Sequence, residues 1–525
     1  MLLLIFILAF TFLLIYNNVW KRINLPPGPA PLPLLGNRLA FVRKAPGYDA
    51  LIVWSKKYGP VFTFWLSETP IVAVTDYELI KETFLKDGES YVGRDFFNEL
   101  FTTMHKVTHG IHGVARTEGE EWQQLRRFSL KLLRNLGVGK NQVEQKIMVE
   151  IDTLIETIES DLEKQKSEIE NDNGYNLMPL IDVAVGSVIN QLAFGYRFIG
   201  EARKEFYEMK AIIAAQVQSF VHPVASTVML MPTLRYFPIF SYYYRDVESR
   251  FARLYEFFDR QIDTTINRRE KEMEEGYTPD DEDTYFVDAF LKEIEERKTT
   301  ITTMDDPYFN VDSLRGLCQD LFIAGQETTA STLKFLILYM ICFPEVQLKM
   351  QEELDSVAAD DEDGNRSIGL IDRAKLPYTN AVINETQRFC NLLPINLIHK
   401  TTRDVQIAGY RIPEGTRITP MISCVLYDKK IFPKPNEFIP ERFLDNGQLK
   451  KCEELIPFSI GKRQCMGESL ARMELFLFTA NIFYKFKISA VDERHPPTLE
   501  KRPGFTVGPM DYKCRIERRK SKNFD

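Results

Sequence analysis

Apolar residues along this chain recur mostly at helical spacing, interrupted by one proline-rich stretch and a few short strand-like runs. Residues 2 to 16, LLLIFILAFTFLLIY, are apolar except for Thr11, and Val19 and Trp20 carry the run to about 20 residues, near the length that spans a hydrocarbon core of ~30 Å. A cleaved signal peptide would want positive charge before the run and small residues at its end. Here Lys21-Arg22 follows the run, which ends in Asn17-Asn18-Val19-Trp20. A retained anchor is therefore expected, with everything after it on the cytosolic side. Next comes LPPGPAPLPLLGN, residues 25 to 37, whose five prolines and two glycines exclude a helix. It reads as a semi-rigid spacer; as a free motif it would also suit proline-binding modules.

Val61 to Leu66 and Ile71 to Thr75 read as strands joined by Ser67-Glu68-Thr69-Pro70. Beyond them the pattern is mainly helical, without internal repeats. Met148 to Leu162 carries a core-facing stripe of Ile151, Leu154, Ile155 and Ile158. Asp312 to Cys342 is apolar almost all round and stops before Pro344. At ~1.5 Å per residue it would cross a large domain. Gln326, Glu327 and Lys334 within it argue against a second membrane span. Glu468 to Tyr484, free of proline and glycine, repeats Leu470, Leu475, Ala480 and Phe483 at helical spacing.

Length and composition narrow the picture. The 525 residues suffice for one large catalytic domain or several ordinary ones, and 44% hydrophobic with 27% charged residues is a globular balance. A net charge of −8 gives no support to a nucleic-acid partner. Seven cysteines without a Cys-x-x-Cys pair argue against a zinc site or a disulfide framework, and so for a reducing compartment. The acidic runs at 279–283 and 360–364 read as solvated loops.

Candidate chemistry concentrates in residues 458 to 467, FSIGKRQCMG. Gly461 and Gly467 permit close backbone approaches. Cys465 precedes the helix expected from Glu468, where orphan N–H groups and the helix dipole favour a thiolate, the form that binds soft metals. A lone cysteine is otherwise a small buried hydrophobe. Trp122 and Arg126 share one face of a predicted helix at i,i+4, and Glu385 and Arg388 pair at i,i+3. Ala324-Gly325-Gln326-Glu327-Thr328-Thr329 interrupts the long apolar helix with residues that disfavour helix. A threonine hydroxyl bonded to the preceding turn can bend such a helix and open a groove.

Phe-x-x-Gly-x-Arg-x-Cys-x-Gly, complete at Phe458, Gly461, Arg463, Cys465 and Gly467, resembles the haem-ligand signature of the cytochrome P450 superfamily. The order of anchor, proline hinge, Trp122/Arg126, central helix, Glu385/Arg388, Arg442 and Cys465 resembles its animal microsomal branch. The resemblance implies a mainly α fold with small β-sheets, the cytochrome P450 fold, preceded by an N-terminal transmembrane anchor helix. Residues 1–20 would be the anchor, 21–37 a basic and proline-rich hinge, and 38–525 the haem-thiolate catalytic domain. It also implies haem b with Cys465 as the axial ligand to iron. Trp122, Arg126, Arg94, His399 and Arg463 would be contacts to the propionates. Ala324 and Gly325 would leave room for the cofactor and dioxygen, Thr328 would order the hydrogen bonds around dioxygen, and Glu327 would relay protons from solvent. Glu385, Arg388 and Arg442 would form a buried charge triad behind the haem loop. Positions around Phe96 to His112, Leu392 to Leu397 and Phe505 to Gly508 would line the substrate pocket. The aromatic-rich stretch 205–245 would be a lid whose apolar tips rest on membrane lipid.

The activity so implied is a haem-thiolate monooxygenase, inserting one atom of O2 into lipophilic substrates such as xenobiotics or polyunsaturated fatty acids, with the other atom reduced to water. No G-x-G-x-x-G segment or flavin-like domain is evident, so electrons would come from NADPH through a haemoprotein reductase, with cytochrome b5 as a further partner. Arg127, Lys131, Arg134, Lys140 and Lys462 would offer the docking charge, at the endoplasmic reticulum membrane. Two other readings stay open: an oxygen-independent haem-thiolate isomerase or dehydratase, and a non-catalytic haem sensor. The intact Ala324-Gly325-x-Glu327-Thr328 favours the monooxygenase.

Overall fold

The computed structural model of the chain describes residues 11–12, 15–43, 46–136, 141–167, 174–275, 285–300, 306–357 and 366–519. The proline-rich stretch leads into α1 (Arg38–Arg43) and α2 (Tyr48–Tyr58), then the hairpin β1 (Val61–Leu66) and β2 (Thr69–Val74). The hairpin is tighter than the sequence suggests. Thr69 and Pro70 already pair with Leu66 and Trp65, so only Ser67 and Glu68 reverse the chain, and Ser67 takes a φ of 54° to do it.

A helical run follows: α3 (Gly119–Asn135), α4 (Asn141–Ser167), α5 (Met178–Phe194), α6 (Ala202–Ser219), α7 (Pro223–Leu230) and α8 (Pro238–Glu274). The central helix α9 (Val311–Cys342) precedes α10 (Pro344–Val357) and α11 (Pro377–Cys390). The Asn310 side chain starts α9 by accepting from the Ser313 N–H at 2.9 Å, and proline stops it two residues beyond its end. Its C-terminal half, from Leu333 to Ile341, is buried except at Lys334, and it packs on α5, α8 and α11. β3 (His399–Lys400) and β4 (Arg417–Pro420) complete a four-stranded sheet in the order β1-β2-β4-β3. In it Val72 pairs in parallel with Ile418, and His399 antiparallel with the same residue. α12 (Glu468–Lys485) lies against α9 and runs into β5 (Phe486–Ala490), which pairs with β6 (Cys514–Arg518). The body is mainly helical with small sheets, as expected.

The proline-rich stretch is no free spacer. The Pro27 carbonyl accepts from the Thr63 N–H at 3.0 Å, Gly36 bridges Leu66, and the Asn37 side chain accepts from the Trp65 N–H at 2.8 Å. A Cβ on Gly28 would lie 1.8 Å from the Thr63 carbonyl oxygen, so only glycine allows this approach. Upstream, the Asn17 amide donates to the Pro31 carbonyl, and Lys21 pairs with Glu68 at 2.6 Å while sitting over the Trp65 ring. Of the expected anchor, residues 1–10 and 13–14 lie outside the described residues, as do both acidic runs; 15–18 are helical. Among the described residues no single helix is long and apolar enough to cross a membrane.

Because Leu336 is wholly buried in α9, Leu336→Ala should destabilise the protein by about 2–5 kcal/mol through the cavity it leaves. A thermal-melt midpoint lower by several degrees is expected; an unchanged midpoint would contradict a close-packed central helix.

Candidate functional site

Residues 458 to 467 form an irregular loop that ends at the start of α12. Gly461 has a φ of +83°, and a Cβ there would meet the Phe84 carbonyl oxygen at 1.8 Å, so this glycine is required by both conformation and contact. The loop closes on itself through the Cys465 N–H, which donates to the Phe458 carbonyl at 3.1 Å. The Arg472 guanidinium lies 5.0 Å above the Phe458 ring. The backbone N–H groups of Gly467 and Glu468 point at Cys465, as a helix N-terminus should, and with Arg126 they favour a thiolate. Burial outweighs them, and the thiol stands above its ordinary pKa. The helix N-terminus thus favours the thiolate as expected, against the cost of burial, and a bound metal cation would favour it further. Cys465 is nevertheless exposed, and so is Ala324 in the middle of α9.

Beside the loop sit three guanidinium groups. Arg463 donates to three backbone carbonyls, Val92 at 2.8 Å, Val114 at 3.0 Å and Thr117 at 2.7 Å, and stacks 3.9 Å from the Trp122 ring. Arg126 donates to the Gln464 carbonyl, and Arg94 to that of Ile398. None of the three has a side-chain carboxylate as a hydrogen-bond partner among the described residues. Burial, then mutual repulsion, pulls Arg94 down to about 9 and Arg463 to about 8. Two buried donors of this cluster, Trp122 Nε1–H and Arg94 Nε–H, have no hydrogen-bond partner among the described residues. His399 is buried alongside, its Nδ1 2.7 Å from the Tyr91 carbonyl. That contact makes Nδ1 the protonated nitrogen and leaves Nε2 an acceptor. Burial and the neighbouring arginines hold the ring neutral, well below the usual imidazole pKa, so Nε2 can donate only once an anion draws a second proton onto it.

The α9 motif divides its work differently from the sequence expectation. Thr328 Oγ1 donates to the Ala324 carbonyl at 2.6 Å, the helix-bending contact anticipated. The missing Cβ of Gly325, however, makes room for Ile189 of α5, whose side chain would lie 2.5 Å away. The space at Gly325 thus accommodates Ile189, and Ala324 beside it is exposed. Glu327 does not face free solvent. It pairs with Lys210 of α6, which also contacts Asp182 at 3.3 Å and Gln326 at 3.1 Å; Lys334 closes the group on Asp182 at 2.6 Å. Burial alone would raise the Asp182 carboxyl, but Lys210 and Lys334 outweigh it and hold it below the usual carboxylate range. Any proton path through Glu327 runs by way of this network.

Glu385 and Arg388 of α11 are wholly buried and doubly bonded, at 2.6 and 2.8 Å. Arg442 reaches the same carboxylate at 3.2 Å, and the Ile439 N–H at 2.9 Å. Arg388 also donates to the carbonyls of Leu426, Pro435 and Glu437, which ties α11 to the chain leading into the loop. The triad is present, and the carbonyl cage around it is what the sequence did not reveal.

The family profile for Cytochrome P450 matches residues 26–516. The chain belongs to the cytochrome P450 family. It is 35% identical to Cytochrome P450 2M1 of Oncorhynchus mykiss over 518 residues, covering 97% of this chain and 96% of that protein. Cytochrome P450 2C44 of Mus musculus is 34% identical over 98% of this chain and 97% of its own length. Cytochrome P450 2H2 of Gallus gallus is 35% identical over 91% and 90%. This cytochrome P450 is accordingly a monooxygenase with a haem-thiolate iron cofactor, a redox partner and lipophilic substrates. The residues fit that cofactor. Guanidinium groups bonded to backbone carbonyls rather than carboxylates, two buried donors without a partner among the described residues and a thiol at a helix N-terminus are what a dianionic metal porphyrin would complement.

A cavity of about 410 Å³ adjoins the cluster at Arg94 and Ile398. Its walls include Phe96, Phe101, Leu393, Leu397 and Phe505 from the three expected segments and Phe220 from the expected lid, together with Phe41 and Tyr48, which the sequence did not suggest. Lys210 and Asp182 were missed too. The first helices and α6 carry no local motif, and only the fold brings them to this P450 site.

Arg388→Ala should cost about 3–5 kcal/mol, because it leaves the Glu385 carboxylate buried with Arg442 as its remaining cation. Loss of soluble haem-loaded protein is expected, and a normal yield with an unchanged melting midpoint would show that the triad bears little of the fold.

Proposed function

We propose that Cys465 is the axial ligand of the haem and that Arg94, Trp122, Arg126, His399 and Arg463 bind its propionates. The observation that carries this reading is the buried cluster of arginines without carboxylates, tied to the Cys465 loop through Arg463 and the Arg126 contact to Gln464. Phe458 and Gly461 shape the loop, and Glu385, Arg388 and Arg442 brace it from behind. When bound, the thiolate-ligated haem supplies oxygen activation, with electron density from sulfur favouring O–O cleavage. The chain supplies the rest. Ala324 and Gly325 leave space over the cofactor; the Thr328 hydroxyl orders hydrogen bonds beside it; and Glu327, paired with Lys210, relays protons inward. The apolar cavity excludes water and positions a lipophilic substrate, such as a xenobiotic or a polyunsaturated fatty acid, for hydroxylation or epoxidation.

Electrons come from NADPH through a haemoprotein reductase, with cytochrome b5 as a second donor. The exposed Arg127, Lys131 and Arg134 of α3, with Lys462 on the loop, support docking of an acidic partner; Lys140 lies outside the described residues. Residues 1–20 anchor the protein in the endoplasmic reticulum membrane, 21–37 form the hinge, and 38–525 the catalytic domain on the cytosolic side. The exposed Tyr236, Phe237, Ile239 and Tyr242 between α7 and the start of α8 support contact of this lid with lipid.

The carbon monoxide difference spectrum of the reduced, membrane-expressed protein should show the strongly red-shifted band of thiolate ligation, lost in Cys465→Ser; a band at the ordinary histidine-haem position would overturn the assignment. Thr328→Ala should consume oxygen and NADPH while yielding several-fold less product per electron, and fully coupled turnover would favour an oxygen-independent isomerase.

A further inference from the structure

Residues 393 to 398, between α11 and β3, form one wall of the cavity, and their backbone is held on several sides. The Leu392 carbonyl accepts from the Val507 N–H at 2.8 Å, that of Pro394 from the Ser423 hydroxyl at 2.5 Å, that of Ile395 from the Thr419 hydroxyl at 2.9 Å, and that of Ile398 from Arg94. Asn396 lies in the middle of this wall, buried, with a left-handed φ of 64° that asparagine tolerates. Its side-chain oxygen accepts from the Leu397 N–H at 2.8 Å, which fixes the way the amide points. Its Nδ2–H donates to the Ser459 hydroxyl at 3.2 Å. Ser459 belongs to the Cys465 loop and is left-handed too, with a φ of 62°, a conformation that serine seldom adopts and that persists only where surrounding contacts impose it. The next link is its own peptide. The Phe458 carbonyl, in the peptide that joins Phe458 to Ser459, is the group that accepts from the Cys465 N–H at 3.1 Å. If Ser459 left its left-handed conformation, that peptide would turn and the closure would open. Three links thus run from the cavity wall to the backbone of Cys465.

We propose that Asn396 is a positioning residue for the thiolate loop: by holding Ser459 in its left-handed conformation it fixes the Phe458 carbonyl that closes on Cys465, and so the pose in which the sulfur is offered to iron. The wall is the fixed partner and the loop the dependent one. The wall backbone is bonded to several other segments, whereas among the described residues Asn396 is the one side chain bonded to the Ser459 hydroxyl. Residues that hold a metal ligand in place tune the metal as well as its retention. This inference rests on the reading of Cys465 as the axial ligand and goes beyond it, because Asn396 lies outside the loop and belongs to the wall that a substrate would touch.

The test is a double-mutant cycle on the haem-loaded, full-length protein with Asn396→Gly, Ser459→Ala and the pair together. Glycine keeps the left-handed backbone at 396, alanine keeps the bulk at 459, and each deletes the hydrogen bond. Two properties are read: the half-life of the red-shifted carbon monoxide band against conversion to the ordinary position, and the iron midpoint potential without substrate. Each single variant should shorten the half-life roughly twofold to tenfold, the range of one neutral hydrogen bond, and should raise the potential as the sulfur donates less to iron. The double variant should be no worse than the worse single one. Should Asn396→Gly not load haem, Ser459→Ala alone decides the point. Unchanged half-life and potential in the single variants would overturn the proposal, even if the melting midpoint fell, since a contact that serves folding alone moves only the melt. Effects that multiply in the double variant would overturn it too, because the two residues would then act independently. Absence of the red-shifted band in the native protein would instead mark failure of the haem-thiolate reading itself.

Discussion

Like charges crowded together away from water are the constraint around which this structure is arranged. Burial, and then the charge of neighbouring arginines, lowers the pKa of Arg94 and of Arg463, and among the described residues no side-chain carboxylate bonds to the guanidinium groups of Arg94, Arg126 and Arg463, although Glu118 accepts from the Arg94 backbone N–H at 2.8 Å. What holds them is backbone: the carbonyls of Val92, Val114, Thr117, Ile398 and Gln464, supplied by segments far apart in the chain. Each carbonyl fixes a guanidinium without neutralising it, so the cluster stays positive and ready for an anion. The loop, α3 and the strand at His399 must all be in place before the cluster exists.

Elsewhere the chain handles buried charge in the opposite manner. Glu385 answers Arg388 and Arg442, and Asp182 answers Lys210 and Lys334. The first group is wholly buried, bidentate and caged by carbonyls, which suits a rigid brace. The second spans α5, α6 and α9 through single contacts, partly open, and includes the acid of the central motif. The two networks share chemistry and differ in burial: one is wholly enclosed, and the other is partly open.

Features carried by local pattern were legible in the sequence. The loop from Phe458 to Gly467, the Thr328 back-bond, the Glu385/Arg388 pair and the extents of α9 and α12 all rest on residues within a few turns of one another. Features made by tertiary contact were not. Gly325 looked like space for a ligand because its neighbour Ile189 lies on another helix. Glu327 looked solvent-linked because Lys210, more than a hundred residues earlier, could not be seen beside it. The helix-end N–H groups at Cys465 were legible, whereas its burial, which opposes them and which no spacing reports, was not.

The docking of the proline-rich stretch has a consequence for solubility. β1 is the outer strand of its sheet, and its free side offers unpaired N–H and C=O groups, the usual template for edge-to-edge aggregation. Pro27, Gly36 and Asn37 cover that side, satisfying Thr63 and Trp65 with a segment too rich in proline to recruit a further strand. The stretch is thus a sheet-edge guard as well as a connector, and shortening the chain past it would leave a sticky strand on a protein whose catalytic machinery was otherwise untouched.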